Sequence, residues 1–282
     1  MQSRDDRDDV VRDRVTAPAF DEVLGLLDVP RGGIVYVQSS TDWVTKAGFG
    51  AAEVLGGLRA WVTPKGTLVM PSYPCRTTHA EYLSTSPRFD VRKTPAGIGL
   101  IPEVFRRSPT ARRSLDPDFS ITAEGPDASD LTTCPLEADP FGRSSPYQRM
   151  IGASATLVGL GVSLNTHSFI HVIDSRYQDS YQVSPYLGLA ATTVIDYDGA
   201  ARVVARRCLA PPFQQMTKPS AVAAAVGDDR AMLATTSIGG ALFFRWNLAA
   251  WAEWCDRHAA QSTAEGRWPC WLTKVGECVA TR

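Results

Sequence analysis

The sequence has no run approaching the roughly 18 consecutive apolar residues that a membrane-crossing helix needs. It also has no surplus of one charge: 29 Lys and Arg stand against 30 Asp and Glu, a formal net charge of −1. That balance gives no general electrostatic pull toward nucleic acid or anionic lipid. The N-terminal Met-Gln-Ser-Arg-Asp-Asp-Arg-Asp-Asp lacks the apolar core of a secretory signal, which predicts a cytoplasmic protein. Neither Cys-x-x-Cys nor His-Glu-x-x-His occurs, so no metal is expected. The six cysteines, at 75, 134, 208, 255, 270 and 278, read as free thiols of a reducing compartment. No internal repeat is visible, which argues against solenoids and propellers.

What is present is a large apolar fraction, 44% of 282 residues, too high for a disordered chain. The length suits one large α/β domain with an added lobe. Residues 1–14 read as a solvated arm and 15–282 as a single domain, with a C-terminal lobe from about 190.

The β-branched run Ile34-Val35-Tyr36-Val37 predicts a strand covered on both faces. It ends in Gln38-Ser39-Ser40, a small polar loop. A helix over 51–61 and a turn at Pro64-Lys65-Gly66 lead to a second buried strand, Thr67–Pro71. This is the βαβ pattern of an α/β fold. Residues 72–97 look irregular, a length that suits a binding loop. A helix is expected over 98–107, a strand within 155–162, and a helix from Asn165 to about Tyr177. Thr193–Tyr197 and Ala201–Val204, turned at Asp198-Gly199, predict a hairpin. Residues 241–258 read as a Trp-rich helix facing the core. The resulting expectation is a central mixed, largely parallel sheet flanked by helices, with a smaller hairpin-containing lobe.

Three strand-end loops carry the small polar residues that a ligand pocket needs: Gln38-Ser39-Ser40, Ser72-Tyr73, and the segment before the 165–177 helix. On that helix His167 and His171 would share a face, and Asp174 follows His171 at i+3. A carboxylate beside an imidazole fixes its tautomer and stabilises the imidazolium, as a general base requires.

Six ordered landmarks carry a family resemblance. They are Val37-Gln38-Ser39-Ser40, Pro64-Lys65-Gly66-Thr67-Leu68-Val69-Met70-Pro71 and Thr94-Pro95-Ala96-Gly97-Ile98-Gly99 leading into Glu103. Arg113-Ser114-Leu115-Asp116-Pro117, Pro140-Phe141-Gly142-Arg143-Ser144-Ser145-Pro146 and Ser168-Phe169-Ile170-His171-Val172-Ile173-Asp174 complete the set. From about Phe20 to Trp254 the chain resembles the antibiotic (aminoglycoside) 3-N-acetyltransferases and their relatives. The resemblance implies acyl transfer, most simply of acetyl, from acetyl-CoA to a small-molecule amine, in antibiotic resistance or biosynthesis. His171 would act as base, Asp174 would orient it, and Ser168, Ser39 or Ser40 would donate to the oxyanion. CoA would lie along Ser39, Ser40, Thr94, Gly97, Gly99, Phe141 and Ser145. Tyr73, Asp116 and Gln38 would meet the acceptor.

Three family positions differ here. Gln38 and Asp116 stand where the family has histidine, and Asp174 where it has Glu. Arg106, Arg107, Arg112, Arg113 and Arg176 gather near the same landmarks. They could dock CoA phosphates or an acyl carrier protein bearing a thioester. Alternative readings are amide formation on such a carrier-bound thioester and a catalytically silent binding protein of the same fold.

Overall fold

The computed structural model describes residues 19–62, 64–181 and 183–273. The expected arm, 1–14, and Cys278 lie outside them.

The two β-branched runs form the heart of the fold. After α1 (Phe20–Leu26), β1 (Gly33–Ser39) is followed by α2 (Thr41–Lys46), α3 (Ala51–Val62) and β2 (Gly66–Pro71). β1 and β2 pair in parallel, with Val35 opposite Leu68. The segment expected to be irregular contains α4 (His79–Ser84) and β3 (Arg88–Asp90). A capping box starts α4: the Thr78 hydroxyl accepts from the Glu81 amide, and the Glu81 carboxylate accepts from the Thr78 amide. The expectation failed because this Thr-x-x-Glu signal precedes only six helical residues.

α5 (Leu100–Arg106), β4 (Arg112–Arg113), β5 (Ile121–Glu124), α6 (Ala128–Thr132) and α7 (Pro146–Gly152) lead to β6 (Thr156–Leu160) and α8 (Ile170–Tyr177). The hairpin is β7 (Tyr186–Ile195) and β8 (Ala201–Leu209), longer than expected but turned where expected. α9 (Pro211–Met216) and α10 (Ser220–Val226) precede β9 (Leu233–Ile238), β10 (Ala241–Asn247) and α11 (Leu248–Ala264). The expected 241–258 helix is therefore a strand followed by a helix. Gly239 and Gly240 both have positive φ, which closes a two-residue hairpin between Ile238 and Ala241. Asn247 then caps α11, its side chain accepting from the Ala250 amide.

Among the described residues the main sheet has seven strands in the order β4-β5-β2-β1-β6-β10-β9. β2, β1 and β6 form its parallel centre. β4 and β9 share that direction, while β5 and β10 oppose it. A second sheet has the order β3-β7-β8. After the hairpin the chain returns to the main sheet through β9 and β10.

Both faces of the parallel strands are covered, so alternate residues feed different cores. Val35, Val37, Leu68 and Val158 pack with Leu24, Leu58 and Phe105. Tyr36, Val69 and Leu157 pack with Met150, Ile173 and Trp251 on the opposite face. Of the aromatic residues expected to be core, Phe243, Phe244, Trp246 and Trp251 are buried, while Trp254 is half-buried against the same core. Parallel pairing also brings the C-terminal ends of β1, β2 and β6 to one edge of the sheet, where ligands of open α/β sheets bind.

Candidate active site

β6 does not run directly into a long helix. Ser163 caps a single 3-10 turn, Leu164–Thr166, and α8 starts only at Ile170. His167 and His171 therefore do not share a helical face, contrary to the sequence expectation. His167 is buried against Trp251, with ring centroids 4.4 Å apart. Neither of its ring nitrogens has a hydrogen-bond partner among the described residues. Burial pulls its pKa from about 6.5 down to about 3.

That depression has a measurable consequence. Between pH 6.5 and 3 the unfolded chain binds a proton at His167 that the native protein refuses. Stability should therefore fall as pH drops through this window, by about 2 kcal/mol from this group at pH 5. Urea unfolding at pH 7 and pH 5 should show a smaller drop for His167→Leu than for the parent. Equal drops would refute the assignment.

His171 and Asp174 do share a face of α8. His171 Nδ1 lies 3.1 Å from Asp174 Oδ2. The Asp174 side chain is only 1% exposed, and its Oδ1 accepts from the Tyr181 hydroxyl at 3.2 Å and from Trp271 Nε1 at 3.3 Å. A carboxylate facing three donors remains an acceptor, so it holds the proton of His171 on Nδ1. Nε2 is then left as the basic nitrogen. Phe141 packs on the ring at 5.2 Å.

Ser168 precedes this pair by one turn. Its Oγ accepts from the Tyr73 hydroxyl at 3.0 Å. Tyr73 also meets the hydroxyls of Tyr36 at 3.1 Å and Tyr147 at 2.7 Å, and Tyr147 donates to the Phe119 carbonyl. Burial raises all three phenols above their ordinary pKa, so they stay protonated. With Tyr73 donating to it, Ser168 can turn its own proton outward. Gln38, at the end of β1, donates to the Thr166 carbonyl at 2.7 Å and keeps a buried, unpartnered Oε1. Gln38, Tyr73, Ser168 and His171 thus reach one strand-end region.

Asp116 is drawn elsewhere. Its Oδ2 accepts from Arg206 at 2.6 Å, and its Oδ1 from the amides of Asp118 and Phe119. Asp118 also binds Arg206, and it meets His79 Nε2 at 3.0 Å. The Leu209 amide donates to His79 Nδ1. Burial raises the Asp116 pKa more than one guanidinium lowers it. Burial pulls Arg206 down, but its two carboxylates carry it above its ordinary value.

The segments expected to meet CoA divide in the same way. Ser39 Oγ and Thr41 Oγ1 are buried without partners. Gly97 packs so closely on the Pro74 carbonyl that a Cβ would sit 2.6 Å from it, and a Cβ on Gly99 would face Thr41 Oγ1 at 3.9 Å. The hydroxyls of Ser40 and Ser145 cap α2 and α7, and the Thr94 hydroxyl accepts from the Asp90 amide. The Phe141 side chain is buried as the wall of His171.

The arginines are largely engaged. Arg106 and Arg107 bind Glu103, Arg176 binds Asp256, and Arg112 lies over Tyr197. Arg113 is buried among the Ser72 and Thr94 carbonyls and the Ser72 and Ser120 hydroxyls. Among the described residues no group of three or more His, Cys, Asp or Glu could hold a metal ion. Among the described residues no helix is long and apolar enough to cross a membrane.

Sequence reading missed Tyr181, Trp271, Tyr36 and Tyr147 at this site, and Arg206 in the neighbouring carboxylate cluster. Tyr181 was within reach, since it lies seven residues from Asp174. The others join the site only through long-range packing, for which the sequence carries no local signal.

An imidazole oriented by a buried carboxylate at the carboxyl edge of parallel strands defines a site that can take a proton from a nucleophile. A model of the aminoglycoside 3-N-acetyltransferase family matches residues 36–256, and the chain belongs to that family. It is an acyltransferase family. The chain is 31% identical over 157 residues to aminoglycoside N(3)-acetyltransferase IV of Salmonella sp, covering 56% of this chain and 58% of the relative. The match thus spans less than two thirds of that relative. Among solved structures, the apoenzyme of aminoglycoside acetyltransferase AAC(3)-IVa has a TM-score of 0.67 at 22% identity, over 89% of this chain and 93% of that one. The binary complex of AAC-IIIb with CoASH has a TM-score of 0.66 at 19% identity, over 86% and 94%. Both likenesses concern the fold.

Proposed function

We propose that this protein transfers an acyl group, acetyl in the first instance, from a CoA thioester to a primary amine of a small molecule. His171 is the general base, Asp174 orients it, and the Ser168 hydroxyl donates to the oxyanion. The observation that carries this reading is the His171–Asp174 pair, with Nε2 unclaimed and Ser168 one turn away.

The chemistry follows from charge. A protonated amine has no lone pair with which to attack a thioester, so a base must take its proton at neutral pH. His171 Nε2 takes it, and the imidazolium formed is stabilised by Asp174. As the amine attacks, negative charge grows on the thioester oxygen and needs a donor already in place. Collapse of the tetrahedral intermediate breaks the C–S bond, and the CoA sulfur leaves as the thiol, taking the proton held on His171 Nε2. Tyr73 holds Ser168 for that role. The family to which the chain belongs and the CoASH of the AAC-IIIb structure support CoA as the donor. So do the unpartnered hydroxyls of Ser39 and Thr41.

Asp174→Asn tests the dyad. Its amide would have to turn its NH2 toward either His171 or the Trp271 and Tyr181 donors, and each choice sets donor against donor. kcat should fall about 10²-fold with little change in acetyl-CoA affinity. Calorimetry with acetyl-CoA tests the donor directly: absence of binding heat, together with no amine-dependent thiol release, would overturn the reading.

A further inference from the structure

We infer that Trp271, held in place by His258, is a positioning residue for the base: its indole N–H takes up part of the Asp174 charge and so sets how tightly His171 holds a proton. The bearing of this on catalysis rests on the acyl-transfer reading of His171.

Residues 268–273 belong to neither sheet. They follow α11, pass beside α8 and are tied at three points. The Cys270 amide donates to His258 Nε2 at 3.0 Å. The Lys218 amide donates to the Trp271 carbonyl at 2.6 Å, and the Thr273 amide to the Met216 carbonyl at 3.0 Å. The segment so fixed buries the Trp271 side chain completely and brings its Nε1 to 3.3 Å from Asp174 Oδ1.

Packing by itself does not direct an indole N–H in this core. Trp246 and Trp251 are just as buried, and their Nε1 atoms have no partner among the described residues. At Trp271 the direction comes from its ties. The His258 ring lies parallel to Trp254, with centroids 4.9 Å apart, and against Trp271 at 5.7 Å. Burial, and then the charge of Arg267, pull the His258 pKa below its ordinary value. At neutral pH the ring is therefore uncharged, and Nε2 can accept from the Cys270 amide.

The charge of Asp174 is shared among few groups. Tyr181, Tyr186 and Cys255 lie within its electrostatic reach, and burial raises all three, so they stay neutral. Beyond His171 stands His167, which burial also keeps neutral. That leaves the imidazole on Oδ2 and two donors, Tyr181 and Trp271, on Oδ1. A carboxylate with one donor fewer is a stronger counter-ion. Loss of the Trp271 N–H should therefore make the imidazolium of His171 harder to deprotonate.

The test is an NMR titration of the histidine rings in the full chain, with His171 assigned by the signal lost in His171→Ala. Trp271→Phe keeps an aromatic ring and removes the N–H, and should move the His171 midpoint up by about half a pH unit or more. His258→Leu removes the acceptor of the Cys270 amide and should move it in the same direction, while His258→Gln, which restores an acceptor, should stay nearer the parent. Because His258 acts through Trp271, the double variant Trp271→Phe with His258→Leu should move no further than Trp271→Phe alone. The acid limb of kcat/KM for thiol release, with sisomicin as the probe amine, should follow the titration, and the KM for acetyl-CoA should stay within about twofold. A His171 midpoint unchanged in both Trp271→Phe and His258→Leu, or additive shifts in the double variant, would overturn the inference. The titration needs neither acyl donor nor amine, so it is read apart from the activity. A midpoint that moves in a protein that neither binds acetyl-CoA nor releases thiol would remove the acyl-transfer reading and leave the link from Trp271 to His171 standing.

Discussion

Replacing His171 by alanine should lower kcat for acyl transfer by about 10²–10⁴-fold, the usual range for loss of a general base. Acetyl-CoA affinity should stay within about twofold, because the groups proposed to line the donor are Ser39, Thr41, Gly97 and Gly99. The loss should shrink as pH rises toward 10, where the amine supplies its own deprotonated fraction. The dependence follows from the role: a base is needed only while the nucleophile arrives protonated. His171 is partly exposed, and Asp174 keeps Tyr181 and Trp271 as donors without it, so the variant should fold. A kcat within threefold of the parent, or a loss that does not change with pH, would place the base elsewhere.

The largest expected effect on stability belongs to Arg206. Its side chain is 1% exposed and lies between Asp116 and Asp118, both buried. Arg206→Ala leaves two carboxylates in the interior without their cation, and removal of one partner from a buried ion pair costs about 3–5 kcal/mol. The sign of the pH dependence can be stated. Burial already raises Asp116, and losing the guanidinium raises it further. Protonation then relieves the buried charge, so the penalty should be smaller near pH 4.5 than at pH 8. Urea unfolding at the two pH values measures it. A loss below 1 kcal/mol that is the same at both would show that the cluster is not held by charge.

The two expectations rest on parts of the chain that were unequally legible in the sequence. The parallel centre could be read because Ile34–Val37 and Thr67–Pro71 are continuous β-branched and apolar runs, each bounded by turn residues. The dyad could be read because an i, i+3 spacing needs nothing beyond one helix. The stretch 241–258 was misread because its aromatic residues satisfy helical and strand spacing alike, and the deciding signal was the Gly239-Gly240 turn. His167 was misplaced because a 3-10 turn capped by Ser163 interrupts the segment before α8 begins. Arg206 was invisible, since its carboxylates lie about ninety residues earlier in the chain and meet it only after the two sheets dock.

That docking also bears on how the molecule opens. Arg206 sits on β8, and its partners Asp116 and Asp118 belong to the turn that offers the Phe119 carbonyl to Tyr147. Leu209, at the end of the same strand, is held by His79 on α4. Peeling the small sheet away would strand two carboxylates and loosen the tyrosine chain behind Ser168 in one event. The hairpin is therefore no independent foldon: its amides should exchange with those of the central strands, through the same global opening.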